Sequence, residues 1–290
     1  MPTETPQFDP VKYKETTREQ WQSAAEAWHR CGPTLRQCLT TRNSKGGVEI
    51  NTLTELKVSR GKALAFRLDG QNTCVIAFEI KRRATMSDIY REGHRKIQEQ
   101  FDTLRLANRL DETIVRESFD EEDTAFIQQI DMFFLATVDD RGHVTCSYKA
   151  GEPGFVRVVD PQTLAFPNYD GNGMYLSMGN IAQTRQVGLL FIDFENQSRM
   201  RVQGEATLDL KDPLMAEFPE AQFIVRVRAR EVFPNCPRYI HKMKRVERSR
   251  FVPKTGSRTP VPSWKKSAWA NDVLPSHDPA RDPNRETLDR

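Results

Sequence analysis

The sequence predicts a mainly β protein built around a small antiparallel barrel. Three features support this fold class. Between Phe133 and Phe233 apolar and polar residues alternate with a period of two, which is typical of half-buried strands. The alternating segments are short, and turn residues such as Asp140-Arg141-Gly142 separate them. A single helical segment, near residues 174–183, lies among them, whereas a parallel sheet needs a long crossover between paired strands.

The first 85 residues contain one well-defined helix. Thr17 and Gln20 form a capping-box pattern, apolar residues then recur at helical spacing, and Gly32-Pro33 ends the run. The apolar residues are Trp21, Ala24, Ala25 and Trp28. We expect residues 1–85 to be an N-terminal extension and not an independent domain.

Two further helices are predicted ahead of the strands. Ser87 caps the first, within a helix-and-linker segment that covers residues 86–118. The apolar face of this helix consists of Tyr90, Ile97, Phe101 and Leu104. A polar linker follows, after which Ser118 and Glu121 form a second capping box. The helix that they open is expected to point Phe126, Ile127 and Ile130 inward.

Seven strands are predicted in residues 119–252, which we expect to form the barrel domain. They are Phe133–Val138, His143–Tyr148, Phe155–Val159, Leu164–Phe166, Val187–Phe194, Arg199–Leu210 and Gln222–Phe233. A short basic helix is predicted from Tyr239 to about Glu247. Six prolines disfavour regular structure in the tail, residues 253–290, although Trp264 and Trp269 indicate that its first half packs on another surface.

Composition and charge restrict the possible environments and partners. No apolar run is long enough for a membrane helix, and the N-terminus lacks a signal-peptide pattern, so we expect a cytoplasmic protein without membrane contact. The five cysteines contain no C-x-x-C pair, and no His or Cys pair has metal-ligand spacing, so no metal is expected. Residues 226–258 carry a net charge of +9, but they lack the interleaved aromatic residues of a nucleic-acid platform.

The strand region contains several motifs in a specific order. They are a strand ending in Ala-Thr-Val, a D-x-x-G turn, G-F-V-x-V, G-N-x-M, G-L-L-F-I-D-F and R-M-R-V-x-G. In this order they resemble the FMN-binding split barrel of the pyridoxamine 5′-phosphate oxidase-like family, over about residues 86–260. The resemblance implies a six- to seven-stranded antiparallel split β-barrel of mainly β (α+β) class. It also implies an FMN-dependent oxidoreductase that acts on a small organic substrate, as a homodimer with the flavin at the dimer interface.

Side chains that suit a phosphate group occur along these strands. Arg199 and Arg201 are two residues apart and emerge on one face of a strand, as do Ser147 and Lys149 on an earlier strand. The resemblance implies FMN contacts at the positions around Ser147–Lys149 and at Asn168, Ser177 and Arg199, and helix proximity adds Asn180. The candidate cofactor-binding residues are Ser147, Lys149, Asn168, Ser177, Asn180, Arg199 and Arg201.

Each candidate also has a purely structural interpretation. Paired arginines commonly form ion pairs or face solvent, a lysine can close a strand in water, and a serine near a helix start commonly caps it. His241 is the candidate catalytic residue, because it lies beside Arg238 and Tyr239 and could contact substrate. The alternative for His241 is a surface histidine on the basic helix.

Two other functions remain open at this stage. One is a non-catalytic module that holds FMN, haem or a deazaflavin. The other is methyl transfer, because residues 11–35 resemble the N-terminal lead-in of class I methyltransferases that use S-adenosylmethionine. The Gly-rich turn that such enzymes need after this helix is absent from the sequence, so methyl transfer does not follow.

Overall fold

The computed structural model describes residues 89–289 of the chain. The predicted helix around Trp21 and Trp28, the methyltransferase-like residues 11–35 and the predicted cap at Ser87 all lie outside these residues. Within the described part, residues up to Thr113 belong to one compact unit, and residues from Ile114 onwards belong to another.

Two helices begin the described chain. Helix α1 spans Glu92–Gln100 and helix α2 spans Leu104–Ile114. Asp102, with φ at 53°, adopts the left-handed conformation where the chain turns between them. The single predicted helix that included Phe101 and Leu104 is therefore wrong, and the polar linker predicted after it is helical as far as Ile114. Nη1 of Arg95 donates to Oδ1 of Asn108 at 2.6 Å and ties the two helices together.

Helix α3, Glu121–Gln129, begins with a different cap from the predicted one. The Asp120 carboxylate accepts from the backbone N of Asp123 at 2.8 Å, and the Asp123 carboxylate accepts from the backbone N of Asp120 at 3.2 Å. The predicted box of Ser118 with Glu121 was therefore wrong. Arg116 is the physical reason, because its guanidinium binds both aspartates and fixes them at the helix start.

All seven predicted strands are present and form one antiparallel sheet. They are β1 Met132–Val138, β2 Val144–Ala150, β3 Arg157–Asp160, β4 Thr163–Asn168, β5 Gln186–Asp193, β6 Ser198–Asp209 and β7 Phe223–Pro234. Their order in the sheet is β2-β1-β5-β6-β7-β4-β3. Helix α4, Leu176–Thr184, lies between β4 and β5 in sequence, as predicted. This is the predicted mainly β, split-barrel fold.

The inner face of this sheet holds the core. Phe133 lies at its centre and packs against Phe155, Phe166 and Phe191, with ring centroids 5.0–5.9 Å away. The inward residues predicted for α3, Phe126, Ile127 and Ile130, are all buried. Each fully buried Phe or Ile side chain contributes about 1.5–3 kcal/mol by removing apolar surface from water, so the inward-facing residues of the strands and of α3 stabilise the barrel.

A bulge at Gly204 lets the long strands β6 and β7 coil around the core. The register between them shifts at Gln203 and Gly204. A Cβ atom at Gly204 would lie 2.1 Å from the carbonyl oxygen of Arg228, which is far inside contact distance. Only glycine fits this crossing of two backbones.

The segment after β7 is not helical. The sequence predicted a basic helix from Tyr239 to about Glu247, but the chain there is irregular and, apart from the buried Ile240, exposed. Its backbone groups bond to the barrel instead: the N–H of Met243 donates to the carbonyl of Phe194 at 3.1 Å, and the Gln197 amide donates to the carbonyl of Ile240 at 2.8 Å. These contacts replace the i to i−4 bonds of a helix.

The tail contains more regular structure than its prolines suggested. Two 3₁₀ segments, Ser263–Lys266 and Pro279–Arg281, flank a one-turn helix α5, Ala268–Asn271. Strands β8, Val261–Pro262, and β9, Thr287–Leu288, pair in parallel. None of the helices in residues 89–289 has the length and apolar character needed to cross a bilayer.

Candidate functional site

One candidate cluster lies on the inner face of the edge strand β2. Ser147 is paired with Leu135 and Lys149 with Phe133 across the β1–β2 ladder. Directly opposed residues in an antiparallel pair point to the same face, and Leu135 and Phe133 are completely buried in the core. The Ser147 and Lys149 side chains therefore point to the inner face at the edge of the barrel, where helix α4 packs.

The Ser147 hydroxyl meets the first turn of α4. Its Oγ lies 3.0 Å from Oγ of Ser177, and the two hydroxyls share a hydrogen bond. Tyr175 is the N-cap residue, in the left-handed conformation with φ at 48°, and makes no side-chain capping bond. The interpretation of Ser177 as a helix cap was therefore wrong. The helix start instead presents backbone N–H groups, a positive dipole end and two hydroxyls.

Lys149 adds an unpaired cation to this face. Within residues 89–289 its ammonium group has no hydrogen bond or ion pair, and the side chain is half-buried. Burial lowers the pKa of Lys149 from its usual 10.5. A partly desolvated ammonium without a counter-ion gains from an anion placed beside it, because the anion favours the charged form. The alternative of a lysine that merely closes a strand in water does not fit this burial.

Asn180 lies one turn further along α4 and is already engaged. Its Nδ2 donates to Oγ1 of Thr137 at 3.0 Å and to Oγ1 of Thr145 at 3.3 Å. The two threonine hydroxyls are themselves 2.8 Å apart across β1 and β2. The amide nitrogen thus fastens α4 to the sheet edge. Its contacts are structural, which distinguishes it from Ser147 and Lys149.

Asn168 reaches the same helix start through a residue that the sequence analysis missed. Its Nδ2 donates to Oε1 of Gln222 at 2.9 Å, and Oη of Tyr175 donates to the same oxygen at 3.0 Å. Asn168 ends β4 and Gln222 immediately precedes β7, so no local pattern connects them. Only the β4–β7 pairing brings them together next to Tyr175.

Arg199 and Arg201 lie elsewhere on the barrel. They pair with Ile192 and Leu190 of β5 and share the outer face with them, because the buried residues Met200 and Val202 take the inner face of β6. Strand β6 is three positions from β2 in the sheet, a spacing of about 14 Å. Within one chain the arginine pair and the Ser147 cluster are therefore on opposite faces and apart.

The arginine pair has no counter-ion in the described part of the chain. Nε of Arg199 is buried and has no hydrogen-bond partner. Burial, together with the like charge of Arg201, lowers the pKa of the Arg199 guanidinium. Because no counter-ion is present in the described residues, the interpretation as a cross-strand ion pair is wrong. A buried donor without a partner, next to a second cation, costs free energy unless an anion accepts from it.

The outer face of β1 and β2, on the same side of the sheet as these arginines, carries exposed apolar residues. Val144 and Tyr148 of β2 are 78% and 61% exposed, and Ala136 and Cys146 are exposed beside them. At one end of this face a cavity of about 610 Å³ opens between Phe134 and the segment 243–252. An exposed apolar sheet face of this kind is typical of a surface that contacts another protein.

His241 lies on the irregular segment after β7. It is exposed, and within residues 89–289 it makes no hydrogen bond or ion pair. It is not on a basic helix, because that helix does not form. None of the clusters described above includes it, and its catalytic role stays a prediction. No group of three or more potential His, Cys, Asp or Glu metal ligands occurs among residues 89–289.

Comparison with protein families concerns the same part of the chain. Residues 119–248 match the family model of pyridoxamine 5′-phosphate oxidase. The barrel is thus of the fold that the sequence motifs indicated, and all seven candidate cofactor-binding residues lie in the matched range. The methyltransferase-like residues 11–35 lie outside it. Comparison with curated proteins gives no match.

Several solved structures resemble the barrel. One is a putative pyridoxamine 5′-phosphate oxidase from Lactobacillus delbrueckii, at 24% identity and a TM-score of 0.34, covering 41% of this chain and 95% of that chain. Another is an FMN-binding protein from Syntrophomonas wolfei, at 16% identity and a TM-score of 0.32, covering 48% of this chain and 97% of that chain. A third is the heme storage protein HutZ from Vibrio cholerae, at 16% identity and a TM-score of 0.28, covering 36% of this chain and 84% of that chain.

Proposed function

We propose that this protein binds FMN and acts as an FMN-dependent oxidoreductase on a small organic substrate. The observation that carries the proposal is the meeting of the Ser147 and Ser177 hydroxyls, 3.0 Å apart, at the uncapped start of α4. Free N–H groups and hydroxyls at a helix N-terminus form a binding site for a phosphate group. The ribityl phosphate of FMN supplies such a group, and the family match makes it the first candidate.

Lys149 would complete this phosphate site. It lies two residues after Ser147 on the same inner face and is half-buried without a counter-ion in the described chain. A phosphate dianion beside it would stabilise its charged form and accept a charge-assisted hydrogen bond from it. Asn168, through Gln222 and Tyr175, would hold the preceding loop in place.

Arg199 and Arg201 enter the proposal through a second copy of the chain. They cannot reach a phosphate at the start of α4 in their own barrel, because they lie on the other face and three strands away. A homodimer that packs the apolar outer faces together would bring the arginine pair of one chain toward the β2 edge of its partner. The buried, unsatisfied Nε of Arg199 supports an anion on that face. Each flavin would then lie at the dimer interface.

Bound FMN would supply the redox chemistry, because its ring accepts or donates a hydride at N5. The protein residues would bind and orient it. Among the described residues, hydroxyls, amides and cations surround the phosphate site, and no carboxylate or imidazole contacts Ser147, Ser177 or Lys149. This composition also favours a second candidate, a non-catalytic module that holds FMN, haem or a deazaflavin.

The absorption spectrum of the purified full-length protein tests the proposal. A flavin spectrum, or uptake of added FMN with a saturable quenching of flavin fluorescence, is expected. A Soret band would identify haem and contradict FMN. If flavin binds, reduction by a nicotinamide coenzyme followed by reoxidation in air supports the oxidoreductase. A bound flavin that no donor reduces supports the non-catalytic module.

A further inference from the structure

The C-terminal tail forms one wall of a second, larger cavity, which is half open to solvent and lies beside the start of α4. Its volume is about 1,470 Å³, and it lies between residues 169–175 and the tail. Tyr175, the N-cap of α4, lines it together with Gln222, whose side chain accepts the Tyr175 hydroxyl at 3.0 Å. The cavity therefore adjoins the phosphate site proposed above. Its wall on the tail side consists of residues after 248, which lie outside the range matched by the family model.

A buried lysine fixes the wall of this cavity. Lys265 is only 2% exposed, and its Nζ lies 2.6 Å from Oδ2 of Asp170 and 2.9 Å from Oδ2 of Asp278. Asp170 belongs to the loop before α4, whereas Asp278 belongs to the tail. A buried ammonium held between two carboxylates ties the tail to that loop, because breaking either contact leaves a charge unpaired.

A second buried cation fixes the far end of the tail. The Arg285 guanidinium donates from Nε to the carbonyl of Thr259 at 2.5 Å and also binds the Glu220 carboxylate. These contacts join residues that are distant in sequence. With Lys265 they hold the tail wall at two points, which is a property of a preorganised site.

The wall presents an aromatic platform to the cavity. The indole rings of Trp264 and Trp269 stack with centroids 5.7 Å apart and an interplanar angle of 16°. Trp269 remains 72% exposed although it is large and apolar. Stacking on one side and exposure on the other leave a flat ring face available, and planar rings bind such faces by offset stacking.

The cations around the cavity are already committed. Arg258 binds Asp282, Arg281 donates to the carbonyls of Leu274 and Pro275, and Lys265 and Arg285 are paired as described. No lysine or arginine that lines the cavity in the described residues is left without a partner. The four cations share the cavity with four carboxylates, so a ligand phosphate would find no excess of positive charge there, in contrast to the inner face of β2. The carboxylates are those of Asp170, Glu220, Asp278 and Asp282.

We propose that this tail cavity binds an uncharged planar ring, stacked on Trp269, and that this ring is the substrate's. The identification of the ring as substrate rests on the proposed function, which places the flavin phosphate at the neighbouring helix start. The binding of a neutral ring does not depend on it. The substrate class that follows is an aromatic or quinone-like compound without a phosphate group, which differs from pyridoxamine 5′-phosphate.

The test compares two probes with the same ring in the full-length protein, titrated both without FMN and with FMN added. Calorimetric titration with 2-naphthol and with 2-naphthyl phosphate at pH 7 is expected to show saturable binding of the neutral ring and no tighter binding of the phosphate. Trp269→Ala should lower the affinity for 2-naphthol about tenfold, whereas the affinity of Trp269→Phe should lie within about threefold of wild type. Tyr239→Ala removes an 82% exposed aromatic residue outside the cavity and serves as the matched control.

Three results would overturn the inference. They are no binding of 2-naphthol up to its solubility limit, an equal affinity in wild type and Trp269→Ala, and binding of the phosphate probe more than tenfold tighter than the neutral one. An FMN titration of the same variants should be unaffected by Trp269→Ala, and a loss of FMN there would mean that the cavity holds the flavin itself. Failure of wild type to bind FMN contradicts the proposed function alone, because the 2-naphthol titration reads the tail cavity separately.

Discussion

The inner-face cluster of Ser147, Ser177 and Lys149 and the outer-face pair of Arg199 and Arg201 are organised differently on one sheet. The first is organised by hydrogen bonds between a strand and a helix start. The second has unpaired charge, including a buried donor with no partner in the described chain. Both places leave a cation without a counter-ion in the described residues, Lys149 on the inner face and Arg199 on the outer face, but only Lys149 shares its face with two hydroxyls at a helix start. A symmetric dimer is the simplest arrangement that uses both for one ligand.

The strongest test of this division introduces a charge on the outer face. Val144→Asp, at a residue 78% exposed, should leave the barrel folded and prevent dimerisation. Loss of the two partner arginines should weaken FMN binding by about 3 kcal/mol or more, which is at least about 150-fold. Light scattering coupled to gel filtration and FMN titration measure the two effects. Leu210→Asp, on an exposed residue at the far end of β6, is the control and should remain dimeric; a dimeric, FMN-binding Val144→Asp protein would contradict the dimer proposal.

Removal of a single outer arginine should have the next largest effect. Arg199→Ala deletes one charge-assisted contact and should cost about 1.5–3 kcal/mol, or about 10- to 150-fold in FMN affinity. Arg141→Ala removes a 73% exposed arginine in the β1–β2 turn and should leave affinity unchanged. Equal FMN affinities of Arg199→Ala and wild type would show that Arg199 does not bind the cofactor.

The inner hydroxyls should contribute less, because neutral hydrogen bonds are weaker. Ser177→Ala is expected to reduce FMN affinity by about 0.5–1.5 kcal/mol, or about 2- to 13-fold. Thr184→Ala, at the other end of α4, also removes a hydroxyl from this helix, in this case one that donates to the carbonyl of Val138, and is the matched control. A larger loss in the control would show that helix stability, not the hydroxyl, controls binding.

The pH dependence of FMN affinity tests the role of Lys149 in the inner cluster, and its expected effect is the smallest. Burial lowers the pKa of Lys149, and only its charged form attracts phosphate, so FMN affinity should be higher at neutral pH than at alkaline pH. It should fall by a few-fold as pH rises toward 10, because deprotonation begins below the usual 10.5. Lys149→Met should bind more weakly at pH 7 and show no such decline. A parallel decline in both proteins would assign the titration to another group.

Local patterns predicted the strands well and the caps poorly. The alternation around Phe133 and Leu135 fixes which side chains face inward, and the burial of both confirms it. The start of α3 depended on Arg116, which binds Asp120 and Asp123 and makes Asp120 the cap in place of Ser118. A capping motif is only a few residues long, so a nearby cation is enough to shift it.

The basic segment after β7 shows a second kind of failure. Its composition suits a helix, yet Met243 bonds to Phe194 and the chain runs along the barrel. Arg245 and Arg248 both bind Asp131, which precedes β1 and is more than a hundred residues away. Such long-range contacts compete with helix formation, and no local pattern contains them.

The sequence by itself determined the seven strands, the helical piece before β5 and the pairing of Ser147 with Lys149 on one strand face, because alternation with a period of two is a local property. Only the tertiary structure decided which face each pair occupies. Register with β1 turns Ser147 inward toward Ser177, whereas register with β5 turns Arg199 outward. The position of the tail and the cavity beside it likewise depend on contacts between residues that are distant in sequence, such as Lys265 with Asp170. These contacts form only when the chain has folded.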